Sequence, residues 1–198
     1  MTTTIQSICV FCGSNPGAEP AYLEAARDLG QRLAEQEIDL VYGGASIGLM
    51  GAVADAVLDA GGKVFGVMPT HLVDREVAHH GLTELYVTRD MHERKKRMAD
   101  LSDGFIALPG GIGTLEELFE ITTWSKLGIQ RKPIGVLNTL GYYDLMLQFL
   151  DHMVDQKFLT ADGRSLFLQG NTPAELLPQL AQFETPATIQ AWLNKSDR

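Results

Sequence analysis

From Leu108 to Glu120 the chain runs LPGGIGTLEELFE, placing three glycines in four positions immediately ahead of a helical pattern that carries Glu116, Glu117 and Glu120. A glycine loop feeding a helix N-terminus is a place for an anion, because main-chain N–H groups and the helix dipole both favour negative charge there. Carboxylates so close behind the loop call for a second explanation. Locally, Thr114 and Glu117 form the pattern T-x-x-E, a capping box in which Glu117 only reaches back to the N–H of Thr114. Carboxylates in a first turn also complement the helix dipole, and Glu116 and Glu120 are most simply such residues or solvated ones.

A second stretch changes the weight of that local reading. In DMHERKKRMADLSD, Glu93, Lys96, Arg97 and Asp100 recur at helical spacing as a solvated face, while Met91, Arg94, Lys95, Met98 and Leu101 form the opposite stripe. This puts Arg94 among core-facing positions. A buried guanidinium needs a counter-charge, so Arg94 is expected to meet a protein carboxylate, a ligand phosphate, or both; the alternative is a side chain that snorkels over apolar surface. The helix leads directly into the strand that ends at PGG, so Arg94 and Glu117 can face one cleft.

The elements that must position these residues alternate. Apolar runs at Ile5 to Phe11, Ile38 to Tyr42, Lys63 to Met68, Glu84 to Val87, Gly104 to Leu108 and Pro133 to Leu137 are separated by helical patterns, among them Pro20 to Gln36 and Leu49 to Ala60. Continuous apolar strands between helices predict an α/β fold, a Rossmann-like doubly wound parallel sheet with helices on both faces, in a single domain over residues 1–198. Further helices are expected from about Tyr142 to Asp155 and from Pro173 to Gln182, the latter with Thr172 as N-cap. The tail from Glu184 is weakly patterned, and its Trp192 is a candidate to dock on the domain or on a partner.

Ligands of open parallel sheets bind outside the carboxyl ends of the strands. Three glycine loops fall on that edge: CGSNPG at Cys12 to Gly17, YGGASIG at Tyr42 to Gly48, and PGGIGT at Pro109 to Thr114. Together they predict a phosphate-bearing ligand. The first loop is not G-x-G-x-x-G and the second strand ends in Gly43-Gly44 rather than an acid for a ribose hydroxyl, so a dinucleotide enzyme fits poorly. The triphosphate loop G-x-x-x-x-G-K-[ST] is also absent.

Composition narrows the partners. Sixteen basic against twenty-five acidic residues give a net charge of -9, which opposes binding to a nucleic acid polymer or an anionic membrane surface. The start MTTTIQSICVF lacks the features of a signal peptide, and no apolar run approaches the roughly 20 residues that span a bilayer, so a soluble cytoplasmic protein is predicted. Cys9 and Cys12 have the C-x-x-C spacing but lie in an apolar run, on opposite faces of a strand, which favours two buried structural thiols over a redox pair. His71, His79, His80, His92 and His152 show no metal spacing, and no metal site is predicted.

PGG-x-GT-x-x-E at Pro109 to Glu117, M-H-x-R-K at Met91 to Lys95 and YGG-x-x-x-GLMG at Tyr42 to Gly51 together resemble the LOG family, the cytokinin riboside 5′-monophosphate phosphoribohydrolases. The resemblance runs over roughly the first 160 residues, through KPIGVLN and GYYD. Members of that family have been labelled lysine decarboxylases, yet nothing in this sequence resembles a pyridoxal phosphate site. The resemblance implies cleavage of the N-glycosidic bond of an adenosine-type 5′-monophosphate, releasing free base and ribose 5-phosphate, without metal or organic cofactor, in a homodimer. It implies Arg94 and Glu117 as the catalytic pair. It implies Glu76, Lys95, the segment Gly111, Ile112, Gly113, Thr114, Leu115 and Glu116 to Glu117, and Thr123 as substrate contacts. Ser14, Gly44 and Gly110 are further candidates from the glycine loops, although Ala45 stands where the family more often has a third glycine.

On that reading a fixed carboxylate beside the ribose answers the positive charge that builds on the sugar as the bond breaks, while the glycine loop holds the 5′-phosphate. The competing expectation is a non-catalytic carrier module that keeps the fold and the phosphate loops but performs no chemistry.

Overall fold

The computed structural model describes residues 5–73, 78–186 and 189. Its elements follow in the order β1 (Ser7–Phe11), α1 (Pro20–Glu35), β2 (Asp39–Tyr42), α2 (Gly48–Asp59), β3 (Val64–Pro69), α3 (Thr70–Val73), β4 (Glu84–Thr88), α4 (Met91–Asp100), β5 (Gly104–Ala107), α5 (Ile112–Lys126), β6 (Ile134–Leu137), α6 (Asp144–Asp155), α7 (Ala161–Arg164), β7 (Phe167–Gly170) and α8 (Pro173–Ala181). The seven strands form one parallel sheet in the order β4-β3-β2-β1-β5-β6-β7. This is the doubly wound Rossmann-like architecture that the alternating apolar runs predict.

The central strands are apolar throughout because both faces are covered. Along β1, Ile8 and Val10 belong to a core with Leu29, Leu33, Val53 and Val57 from α1 and α2. Cys9 and Phe11 point the other way, into a core with Met98, Leu118, Ile121 and Leu147 from α4, α5 and α6. Cys9 and Cys12 thus lie in different cores, both buried and free. Burial pushes both thiols up, so they stay protonated, as suits structural residues.

The sequence pattern yields six strands, and the structure adds a seventh. β7 pairs in parallel with β6, from Ile134 opposite Phe167 to Leu137 opposite Gly170. Its sequence FLQG is too short and too mixed to show a strand period; the free edge of β6, not local propensity, recruits it. The α8 start is as expected, with Pro173 in the first turn and the Thr172 side chain accepting from the N–H of Glu175. Trp192 and Glu76 lie outside the described residues.

The order reverses at β1, which has β2 on one side and β5 on the other. The crevice beyond the ends of β1 and β5 is therefore the switch point of the sheet, where such folds take ligands. Two glycine loops meet there: the N–H of Gly13 donates to the carbonyl of Pro109 at 3.1 Å. The third loop is tied in through α2, whose Leu49 N–H donates to the carbonyl of Gly13 at 3.1 Å. Gly48, at the start of α2, has φ of +59°, and a Cβ there would fall 2.6 Å from the nitrogen of Asn15. Only glycine lets α2 begin so close to the first loop. Among the described residues no helix is long and apolar enough to cross a membrane.

Candidate active site

α4 is capped by Asp90, whose carboxylate accepts from the N–H of Glu93 at 2.9 Å, and runs with one face against the sheet. Arg94 is buried on that face. Its Nε donates to the carbonyl of Val67 on β3 at 3.0 Å, and its Nη1 donates to Glu117 Oε1 at 2.7 Å. Both side chains are only 11% exposed. A Cβ on Gly43 would stand 2.5 Å from Arg94 Nη2, so the glycine after β2 leaves the space that the guanidinium occupies. The core-facing arginine has its counter-charge, and the snorkelling alternative does not apply.

The capping box is not formed. α5 starts at Ile112 with Gly111 as its N-cap and no side-chain cap, so Thr114 already lies within the first turn. Glu117 is then too far along the helix to reach back to a free N–H, and its carboxylate turns sideways to Arg94. The glycine at 111, extended at φ -89° and ψ -159°, lets the chain enter the helix earlier than the threonine pattern suggests. Glu116 and Glu120 are not simple dipole-complementing residues either. Both accept from Lys95 Nζ, at 2.5 and 3.0 Å. Lys95 on α4 thus bridges to two carboxylates one turn apart on α5.

A cavity of about 230 Å³ opens at the switch point. Arg94, Glu117 and Glu116 line one part of it, Gly111, Gly113 and Thr114 another, and Gly13 and Ser14 of the first loop a third. Buried Thr114 packs over Gly110, where a Cβ would also fall 2.8 Å from the nitrogen of Gly13, so the loop can close only as glycine. The other candidates stand outside the cavity wall. Gly44 has φ of +82° and packs toward Leu85 and Met68, and it is Gly43 that borders the cavity. Lys95 is held behind the wall by its two glutamates. Ile112 projects into solvent, Leu115 packs against the core, and the exposed Thr123 spends its hydroxyl on the carbonyl of Phe119. Cys12, Met50 and Met91 line the cavity although no motif singled them out as ligand contacts. Cys12 adjoins Gly13, Met50 adjoins Gly51 on α2, and Met91 lies one turn ahead of Arg94 on α4, and that nearness was their only sequence signal.

The electrostatics of the pair are set by burial. Burial pushes the Glu117 carboxyl above the usual glutamate range, and the charge and hydrogen bond of Arg94 hold it down only in part. A guanidinium offers donors and no acceptor, so Arg94 cannot serve as a base. Glu116 is half exposed and held by Lys95, which leaves Glu117 as the buried carboxylate of this cavity able to take up a proton or to face a developing cation.

Residues 50–180 match the family described as possible lysine decarboxylases. The cytokinin riboside 5′-monophosphate phosphoribohydrolase LOG7 of Arabidopsis thaliana is 50% identical over 177 residues, covering 89% of this chain and 82% of that protein. The corresponding LOG protein of Oryza sativa subsp. japonica is 49% identical over 176 residues, covering 89% and 73%. This chain belongs to the LOG family. The decarboxylase description of the matched family would bring pyridoxal phosphate, which needs a lysine available as the neutral amine. The lysine next to this LOG cavity does not fit. Burial opposes the charge on Lys95, yet Glu116 and Glu120 outweigh it and push the ammonium pKa up. Among solved structures, the molybdenum cofactor binding protein of Rippkaea orientalis superposes with a TM-score of 0.68 over 89% of this chain and 95% of that one. At 21% identity it shares the fold of this LOG protein.

Proposed function

We propose that the chain hydrolyses the N-glycosidic bond of a cytokinin riboside 5′-monophosphate or of AMP. The observation that carries this reading is the buried pair of Arg94 Nη1 and Glu117 Oε1 at 2.7 Å, on the wall of a cavity whose other side is glycine backbone. Simple anion binding gives no reason to hold a carboxylate there. Names of relatives that are half identical over most of the chain support the same activity.

In this reading the 5′-phosphate rests on the main-chain N–H groups at the start of α5, near Gly111, Gly113 and Thr114, with Ser14 across the cavity. That anchor places ribose C1′ beside Glu117. As the bond between C1′ and the base nitrogen breaks, its electron pair leaves with the base and positive charge builds on the sugar. Glu117 stabilises that charge and accepts the proton of the water that adds to C1′. The departing base takes one proton from solvent and Glu117 returns its own to solvent, so that water and nucleotide become free base and ribose 5-phosphate and the carboxylate is restored. Arg94 fixes the carboxylate. Lys95 acts through Glu116 and Glu120, Gly44 and Thr123 stand outside this cavity, Glu76 remains a proposed contact, and the enzyme is proposed to be cytoplasmic.

Incubation with AMP and with an N6-prenylated AMP, with chromatography of the products, tests the reaction. Release of free base from at least one nucleotide, and slower turnover of the matching nucleoside, are expected because the phosphate is a non-reacting anchor. Tight nucleotide binding with no base released would instead be carrier behaviour and would reject the hydrolase.

The enzyme is further proposed to be a homodimer. Leu145 and Phe149 on α6 and nearby Phe158 are 79%, 56% and 85% exposed, an apolar face that a second copy would cover. Sedimentation equilibrium is expected to give twice the chain mass, and the mass of one chain at micromolar concentration would refute it.

A further inference from the structure

The motif GYYD, at Gly141 to Asp144, takes no part in the chemistry above, yet both of its tyrosines reach back to the glycine loop. Tyr143 Oη donates to the carbonyl of Leu108 at 2.6 Å, and Tyr142 Oη donates to the carbonyl of Gly110 at 2.5 Å. The carbonyl between them, on Pro109, accepts from the N–H of Gly13. Three successive carbonyl oxygens of the loop are thus each held by a donor.

The tyrosines are themselves fixed. The N–H of Tyr143 donates to Asn138 Oδ1 at 2.7 Å, while Asn138 Nδ2 donates to Asp144 Oδ1 at 2.7 Å. Burial pushes the Tyr143 phenol up, so it remains a donor. The Tyr142 ring stands edge-on to Tyr22 at 5.8 Å and to Tyr143 at 5.0 Å. It also forms part of a second cavity, of about 250 Å³, which shares Gly13, Ser14 and Gly111 with the first.

In a trans peptide the C=O and the following N–H point in opposite directions. Whatever holds the carbonyl of Gly110 therefore aims the N–H of Gly111. A peptide between two glycines is free to flip, because both orientations lie in regions open to residues without Cβ. The flipped loop would turn a carbonyl oxygen toward an anion.

We propose that Tyr142 is a positioning residue: its hydroxyl selects the orientation of the Gly110–Gly111 peptide that aims the Gly111 N–H into the cavity beside Arg94 and Glu117, where an anion binds. That the anion is the substrate's 5′-phosphate rests on the function proposed above. The orientation itself does not.

Tyr142→Phe keeps the ring contacts and removes the donor. The variant and the parent protein, labelled with ¹⁵N-glycine, are titrated with inorganic phosphate and with ribose 5-phosphate by NMR and calorimetry, and assayed on AMP and adenosine. The expected result is an unchanged melting temperature and roughly tenfold weaker binding of both ligands, the scale of one charge-assisted hydrogen bond. The Gly111 amide should shift with phosphate in the parent and not in the variant. KM for AMP should rise by a similar factor while turnover of adenosine is unaffected. Unchanged phosphate affinity in the folded variant, equal losses on AMP and adenosine, or a parent protein that binds no phosphate would each overturn the proposal. If no nucleotide is hydrolysed, the two titrations still decide it, so its failure and that of the hydrolase reading are separate results.

Discussion

Glu117→Gln is expected to slow base release from the nucleotide by roughly 10²- to 10⁴-fold, the range spanned by loss of a general base or of a fixed charge at a developing cation. Glutamine has nearly the same volume and can still accept from Arg94, so the fold should survive and the melting temperature should stay close to that of the parent. What is lost is the negative charge, in a cavity where burial makes that charge count for more than it would in water. In the proposed mechanism the carboxylate is the active form, so activity of the parent should fall on the acid side. Burial raises the pKa of Glu117, which places this fall above the ordinary glutamate value of roughly 4.3. Single-turnover rates across pH measure both effects. A variant within threefold of the parent would remove Glu117 from the chemistry.

Arg94→Ala should be the more disruptive change. It removes the donor to Val67 and the partner of Glu117 together, leaving a buried carboxylate uncompensated. Breaking a buried pair from one side typically costs roughly 3 to 5 kcal/mol, which urea unfolding would register. The pH profile gives an independent reading. Burial raises the Glu117 pKa and Arg94 opposes it, so without Arg94 the acid limb must move to higher pH. A limb that stayed in place would mean that the guanidinium does not act on the carboxylate. Arg94→Lys keeps a charge but, as a point donor, cannot serve Val67 and Glu117 at once, and should fall between the two.

The residues that were legible in the chain are those whose reasons are local. Glycine after β1, β2 and β5 marks loops that pack against one another, and apolar runs such as FIA on β5 mark strands covered on both faces. The arginine on a core-facing stripe announced a buried counter-charge before any partner was known. Misreadings arose where a local pattern met a tertiary competitor. T-x-x-E is a sound capping box in isolation, but Gly111 starts the helix early and Arg94 offers Glu117 a charged donor, which outweighs a neutral N–H. Gly43 and Gly44 are indistinguishable as letters. Only the fold shows that a Cβ on Gly43 would meet the guanidinium of Arg94, whereas one on Gly44 would meet Leu85 and Met68.

By itself the sequence determined the sheet-and-helix alternation, the edge on which the glycine loops gather and the need of Arg94 for a counter-charge; that Glu117 supplies it was decided by the fold. These follow from periodicity, backbone freedom at glycine and the cost of burying charge, all of which act within a few residues. The tertiary structure alone decided that β7 joins the sheet, that Lys95 takes up Glu116 and Glu120, and that Tyr142 and Tyr143 hold the glycine loop from more than thirty residues away. Each of those outcomes depends on which donor meets which acceptor once distant segments are brought together, and no spacing along the chain encodes that.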